Sequence, residues 1–376
     1  MLALQIGAGN IGRGFIGQVL HEAGYTVCFA DINDTLIEQL QAQKSYKVEL
    51  AGNETQTINV TNIEAVHNEK QEEALLEKIA QADLITTAVG PNVLRAIAPI
   101  LAEGLKRRLK QGEDIVNVIA CENMVGATEQ LRHYVWEHLS SEEKAQAQQF
   151  IGFPNAAVDR IVPAQPGDDD LTVKVEAFFE WVVDQTEIKG ELPPVPAITY
   201  VDELMPYVER KLFTVNTGHA ALAYNGFVQG TATIKEAIEN DNVRQAYEAV
   251  IAETGELLVQ KYGFTKEDMQ TYHRKISSRF QNPHISDSVE RVGRGPIRKV
   301  HRSDRLVKPA VELNERNIQP KAIAATIARL LEFDPENDQE ANKLQEDIQA
   351  MGKRDAFIKY SELENSHPLV DLVMVQ

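Results

Sequence analysis

The sequence predicts an α/β protein: a doubly wound, mostly parallel sheet in the N-terminal half, followed by a mostly α-helical domain. Three observations carry this. A glycine-rich turn joins an apolar strand to a helix at the very start. Strand patterns and helix patterns then alternate for about 120 residues. After the proline-rich stretch Leu192-Pro-Pro-Val-Pro196 the period-two pattern disappears and apolar residues recur at spacings of three and four. We therefore expect one domain over residues 1–192 and a second over 197–376.

The first element, Leu2–Ile6, is a continuous apolar run of the kind that a strand buried on both faces requires. It leads into Gly7-Ala-Gly9-Asn-Ile-Gly12-Arg-Gly14, after which Phe15, Ile16, Val19 and Leu20 repeat with helical spacing. This is G-x-G-x-x-G between strand and helix, the dinucleotide fingerprint of a Rossmann domain. Gly7 permits the tight turn, Gly9 lets the backbone approach a pyrophosphate, and Gly12 lets helix and strand close together. The backbone of Ala8, Asn10 and Ile11 completes the loop at a helix N-terminus, where free N–H groups and the dipole favour phosphate. Residues 26–30 form the next strand and end in Asp31, 19 residues after Gly12. A carboxylate there accepts from ribose hydroxyls and repels a 2′-phosphate, so the expected cofactor is NAD rather than NADP.

The alternation continues with a helix at 34–43, a small β excursion over 46–66, a helix at 69–81 and a strand at 84–89. A further helix runs to about 109, and a strand at 114–121 ends in Glu122-Asn123. Ligands bind beyond the carboxyl ends of parallel strands, which places Thr87, Ala88 and Val89 against the cofactor. Asn123 sits at another such end, where it either faces a ligand or caps the next helix. Residues 124–149 read as helix with a polar turn. In Phe153-Pro-Asn-Ala-Ala-Val-Asp159-Arg160 a charged pair interrupts an apolar run, as a buried ion pair or as functional groups. Strands at 171–175 and 178–183 close the domain.

In the helical half one stretch concentrates reactive side chains: Lys211-Leu-Phe-Thr-Val-Asn216-Thr-Gly-His219. In an α-helix Asn216 and His219 share a face, and Lys211 lies about 80° round and about 12 Å along the axis. A lysine stem covers about half that gap, so the three can converge on one carbon. A second stretch, residues 291–308, holds seven Lys/Arg and one acid around Gly293, Gly295 and Pro296. In a chain of net charge −18, such a basic loop reads as an anion site, with guanidinium forks suited to phosphate. Its candidate ligands are Arg291, Arg294, Arg298, Lys299 and Arg302.

The same net charge makes nucleic acid and anionic membranes poor partners. No run is long enough to span a bilayer, and the N-terminus lacks a signal-peptide pattern. Two cysteines, Cys28 and Cys121, both in apolar strands, suit a reducing cytoplasm. They form no zinc-binding pattern, and His133 and His138 are badly spaced for a chelate, so no metal is expected. Tyr207-x-x-x-Lys211 matches the short-chain dehydrogenase base pair, but it lies about 195 residues beyond the fingerprint.

Together, the Gly7–Gly14 fingerprint, Asn123, the 153–160 motif and Lys211-Leu-x-x-x-Asn216-x-x-His219 resemble the polyol-specific long-chain dehydrogenases, in the same order and over the whole chain. That resemblance implies a metal-independent hydride transfer with NAD between D-mannitol 1-phosphate and D-fructose 6-phosphate, in an active site between the two domains. It implies Lys211 as acid/base; for that role partial burial and neighbouring donors are expected to lower its pKa from about 10.4 toward roughly 7–8. Asn123 and Asn216 would hold the substrate oxygen, His219 would orient substrate and lysine, and Asp159 would sit beside them. The expected partner is a small sugar phosphate, and the expected assembly a monomer or small homo-oligomer.

Overall fold

The computed structural model describes residues 1–52, 56–112, 114–163, 165, 171–285 and 287–376. The chain forms two compact units, Met1–Tyr207 and Val208–Gln376. Twelve strands occur among the described residues: β1 (Leu2–Ile6), β2 (Thr26–Asp31), β3 (Ser45–Ala51), β4 (Gln56–Thr61), β5 (Ile63–His67), β6 (Leu84–Thr87), β7 (Val116–Ala120), β8 (Ile151–Gly152), β9 (Ala156–Asp159), β10 (Val173–Glu176), β11 (Glu180–Asp184) and β12 (Ile198–Val201).

The main sheet of the first unit runs in the order β5-β2-β1-β6-β7-β8, with every neighbouring pair parallel. This is the doubly wound order, whose direction of winding reverses between β1 and β6. Alternate residues feed two cores, one on each face: Ala3, Val27 and Phe29 on one side, and Leu4, Ile6, Cys28 and Ala30 on the other. Both cysteines are free and buried. Each large aliphatic side chain buried here contributes roughly 1.5–3 kcal/mol, which explains why these strands read as unbroken apolar runs.

Two small sheets flank the main one. The first pairs β3 and β4 as a hairpin, with β10 added in parallel to β3. Residues 63–67, read from the sequence as part of the excursion, instead form β5 at the edge of the main sheet beside β2. The second small sheet joins β9, β11 and β12. The proline-rich stretch lies inside the first unit. Val195 is buried in its core, and the strand beyond it, β12, pairs in parallel with β11.

The second unit is helical. Its longest helix, Asp241–Tyr262, is capped by Asn240, whose side chain accepts from two backbone N–H groups. Helix Lys266–Phe280 opens on a capping box between Thr265 and Asp268. At the centre, Thr217–Val228 is almost wholly buried, with Ala220, Ala221, Leu222, Ala223 and Tyr224 packed on all sides. A helix apolar all round belongs inside a core. Among the described residues no helix is long and apolar enough to cross a membrane.

Candidate active site

In the first unit, local sterics shape the loop between β1 and the first helix. Gly7 adopts φ +94°, and a Cβ there would lie 2.5 Å from the Ala88 carbonyl oxygen. A Cβ at Gly12 would lie 1.9 Å from the Gly7 carbonyl oxygen, so the helix start and the loop touch backbone to backbone. Gly9 differs: nothing stands within 4 Å of its missing Cβ. Internal packing does not demand a glycine there, whereas close approach of a ligand does. The loop is tied down by the buried Arg13, whose Nε donates to the Ala8 carbonyl at 2.7 Å, and by Gln5, whose amide donates to the Gly7 carbonyl at 3.0 Å.

Asp31 closes β2 beside this loop. One carboxylate oxygen accepts from the Ala8 N–H at 2.7 Å and the other from the Asn33 N–H at 3.0 Å. A cavity of about 740 Å³ opens over these groups, lined by Gly7, Gly9, Asp31, Ala88 and Val89 among others. An open glycine, a carboxylate at the strand end and an apolar wall suit a dinucleotide. Asn10 and Ile11 begin the helix that follows the loop. Thr87 is buried at the end of β6, its hydroxyl donating to Glu122 at 2.8 Å.

Glu122 was not singled out by the sequence pattern, yet its buried carboxylate holds the whole turn after β6. Besides Thr87 it accepts from the Val89 N–H at 3.0 Å and the Gly90 N–H at 2.8 Å. Its neighbour Asn123 is exposed and is not a helix cap: Gly126 occupies the N-cap of Ala127–Glu137. Asp159 ends β9 and is buried. Arg160 donates to the Glu176 carbonyl at 2.9 Å, the Gly14 carbonyl at 3.0 Å and the Gln18 side chain at 2.5 Å, and stacks near Phe15 and Phe179. It is a clamp on the fingerprint helix. Burial lowers its pKa to about 10.

In the second unit, Lys211–Asn216 is a π-helical turn set between the α-helices Met205–Arg210 and Thr217–Val228. The sequence pattern implies α-helical geometry throughout, and the structure differs at this turn. With i→i+5 bonding, Lys211 and Asn216 are the residues that stack one turn apart, and such turns recur at functional sites. The Thr217 hydroxyl lies across the wide turn, 3.0 Å from the Leu212 carbonyl, with its shorter contact, 2.6 Å, to the Arg305 carbonyl. Phe213, Thr214, Val215, Thr217 and Gly218 are buried, whereas Lys211, Asn216 and His219 remain partly exposed. The three candidates therefore lie along the open edge of a buried element.

His219 stacks on Phe280 with centroids 4.8 Å apart. Burial lowers its pKa to about 3, helped by the positive charges of Arg305, Arg279, Lys299 and Arg291. It is neutral at physiological pH. Glu209, two residues before Lys211, anchors the entry to the turn. Its buried carboxylate receives Lys261 at 2.6 Å, Lys308 at 2.6 Å and the Tyr262 hydroxyl at 2.8 Å.

Comparison with known proteins identifies the architecture. The mannitol dehydrogenase Rossmann domain matches residues 1–197, and the mannitol dehydrogenase C-terminal domain matches residues 203–370. The chain belongs to the mannitol dehydrogenase family. It is an oxidoreductase of that family. Relatives include the mannitol-1-phosphate 5-dehydrogenases of Anoxybacillus flavithermus, 47% identical over 98% of this chain and 97% of the relative, and of Bacillus licheniformis, 48% identical over 100% and 99%. Among solved structures, a D-sorbitol dehydrogenase in substrate-free form matches with TM-score 0.83 at 19% identity, covering 99% of this chain and 91% of that one. Mannitol 2-dehydrogenase of Pseudomonas fluorescens, in a ternary complex with NAD and D-mannitol, matches with TM-score 0.76 at 19% identity, covering 99% and 90%.

Within this family member, the basic loop is more structured than its composition suggests. It folds as short helices, Val289–Gly293 and Pro296–Lys299, before Val307–Glu315. Lys299 is buried, and its amine donates to the Val292 carbonyl at 2.9 Å and to the Arg294 carbonyl, closing the turn between the two short helices. Burial lowers its pKa to about 7. Arg291 pairs with Asp287, and Arg298 reaches Asp304 at 3.1 Å. Arg294 and Arg302 are exposed.

Proposed function

We propose that this protein catalyses the reversible, NAD-dependent oxidation of D-mannitol 1-phosphate to D-fructose 6-phosphate, in mannitol catabolism and without a metal. The observation that carries the reading is 46–48% identity, over nearly the full length, to bacterial relatives bearing that activity in their names. The polar edge of Lys211, Asn216 and His219 supports the chemistry.

Gly7, Ala8, Gly9, Asn10, Ile11 and Gly12 would hold the pyrophosphate, Asp31 the adenine ribose, and Thr87, Ala88 and Val89 the wall of the site. NAD⁺, when bound, supplies the acceptor for the hydride that leaves the alcohol carbon. Lys211 takes the hydroxyl proton as the base and returns it as the acid in the reverse direction. Asn123 and Asn216 donate amide N–H bonds to the oxygen as negative charge builds on it. A donor placed that way is worth about 10²–10³ in rate. His219, neutral, orients the substrate by hydrogen bonding without adding a charge. The family resemblance assigns Asp159 to the same reaction.

The test is NADH absorbance with fructose 6-phosphate. Lys211→Ala keeps cofactor binding and loses about 10²–10⁴ in turnover, the usual contribution of a positioned acid/base. An intact rate in that variant refutes the assignment.

A further inference from the structure

The seven cations of residues 291–308 are not equivalent once their partners are known. Arg291 is paired with Asp287, Lys299 is buried on backbone carbonyls, and Lys308 is bound to Glu209. Arg294 and Arg302 stand out in solvent, and the Arg298 side chain is 59% exposed. Arg305 is the exception. Its side chain is only 14% exposed. Its Nε donates to Asp304 at 2.8 Å, and the same carboxylate reaches Arg298 at 3.1 Å through its other oxygen. Among the described residues no acceptor meets the two terminal nitrogens of Arg305.

The position of Arg305 is fixed from the catalytic helix itself. Its backbone carbonyl accepts from the Thr217 hydroxyl at 2.6 Å. Thr217 follows Asn216 directly and precedes His219 by two residues. Arg305 is also the foremost of the positive charges acting on His219. An arginine held by its Nε and free at both terminal nitrogens presents a planar two-pronged donor, which matches two oxygens of a phosphate. One carboxylate against two guanidiniums leaves a net positive charge there, which a phosphate monoester of charge near −2 at neutral pH would complement.

We propose that Arg305 is the residue that selects a phosphorylated substrate, taking two phosphate oxygens on its terminal nitrogens, and that Asp304 is its positioning residue. This rests on the reading that the substrate is a hexitol phosphate, and it replaces a diffuse basic loop by one aimed fork. The phosphate sits at the opposite end of the carbon chain from the reacting hydroxyl. Arg305 therefore acts on binding and orientation, and Lys211 on the chemistry.

The experiment measures kcat/KM for fructose 6-phosphate and for free fructose in the parent protein and in Arg305→Gln, with inorganic phosphate as a competing probe. Charge-assisted hydrogen bonds are strong enough that losing the fork should cut the preference for the phosphorylated sugar about 100-fold. The loss should lie mainly in KM, with inhibition by inorganic phosphate weakened in parallel. Arg305→Lys keeps a charge for Asp304 and loses the fork; it should lose about tenfold and serves if the glutamine variant fails to fold. A parent that prefers fructose 6-phosphate together with variants of unchanged preference overturns the role of Arg305 and leaves the reaction standing. An equal loss on both sugars also overturns it, because that is the mark of a structural role. A parent that ignores fructose 6-phosphate overturns the reaction and this inference together.

Discussion

Replacing Glu209 by alanine tests whether the entry to the π-helical turn is held by charge. The carboxylate is 2% exposed and carries three donors, Lys261 and Lys308 at 2.6 Å and Tyr262 at 2.8 Å. Removing one partner of a buried pair typically costs about 3–5 kcal/mol. Here the lysines are 23% and 30% exposed, and Lys261 keeps Glu312 at 2.7 Å, so water and a second acid absorb part of the loss. Discounted for that screening, the cost is about 2–3 kcal/mol, which lowers the melting temperature of a unit of this size by roughly 4–12 °C. The pH dependence follows from the carboxyl group. Burial pushes its pKa up, but the hydrogen bonds from Lys261, Lys308 and Tyr262 together hold it below the ordinary value. A group with a depressed folded pKa stabilises above its unfolded pKa of about 4.3, and the benefit is lost as pH falls through the folded value. Thermal melting at pH 7 should therefore separate parent and variant, and the gap should narrow as the pH is taken below about 4. With Lys211 two residues away, kcat should fall while the Kd for NADH holds. A melting temperature within about 1 °C of the parent at pH 7, or a gap indifferent to acid, refutes the argument.

Other perturbations probe the remaining links. Gly12→Ala drives a Cβ into the Gly7 carbonyl, backbone against backbone; NADH affinity by fluorescence titration should fall about 100-fold, alongside the roughly 1–3 kcal/mol usual for overpacking. Asp31→Ser removes the charge that opposes a 2′-phosphate and also the acceptor for the Ala8 N–H; the ratio of NADH to NADPH affinities should shift toward NADPH by about 10²-fold. Lys299→Met addresses a lysine whose folded pKa, about 7, lies below its unfolded value. Between those values the unfolded chain holds the extra proton, so the parent should gain stability as pH rises above 7, and urea unfolding from pH 7 to 9 should show a flatter profile in the variant.

The site was unevenly legible. Gly7, Gly9, Gly12 and Asp31 announce themselves because a dinucleotide turn needs those residue types at those separations. Lys211, Asn216 and His219 stand out as polar groups on an otherwise apolar helix. Glu122 and Glu209 carried no such signal: one acid among many has no periodicity, and its importance comes from three donors brought to it by distant segments. The basic loop poses a different difficulty. Composition counts charges, whereas a ligand meets only those left unpaired by folding, and Lys299, the most buried of them, is engaged with the backbone.

What the sequence determined by itself is whatever depends on local repetition: the parallel α/β half, the helical half, the fingerprint and the polar set around Lys211. Tertiary structure alone decided the edge position of β5, the assignment of β12 to the first unit, the π-helical turn that changes which residues stack with Lys211, and the pairing of Arg305 with Asp304 through its Nε. Strand order, helix register and ion pairing are set by contacts between residues far apart in the chain, and no local pattern encodes which of those contacts forms.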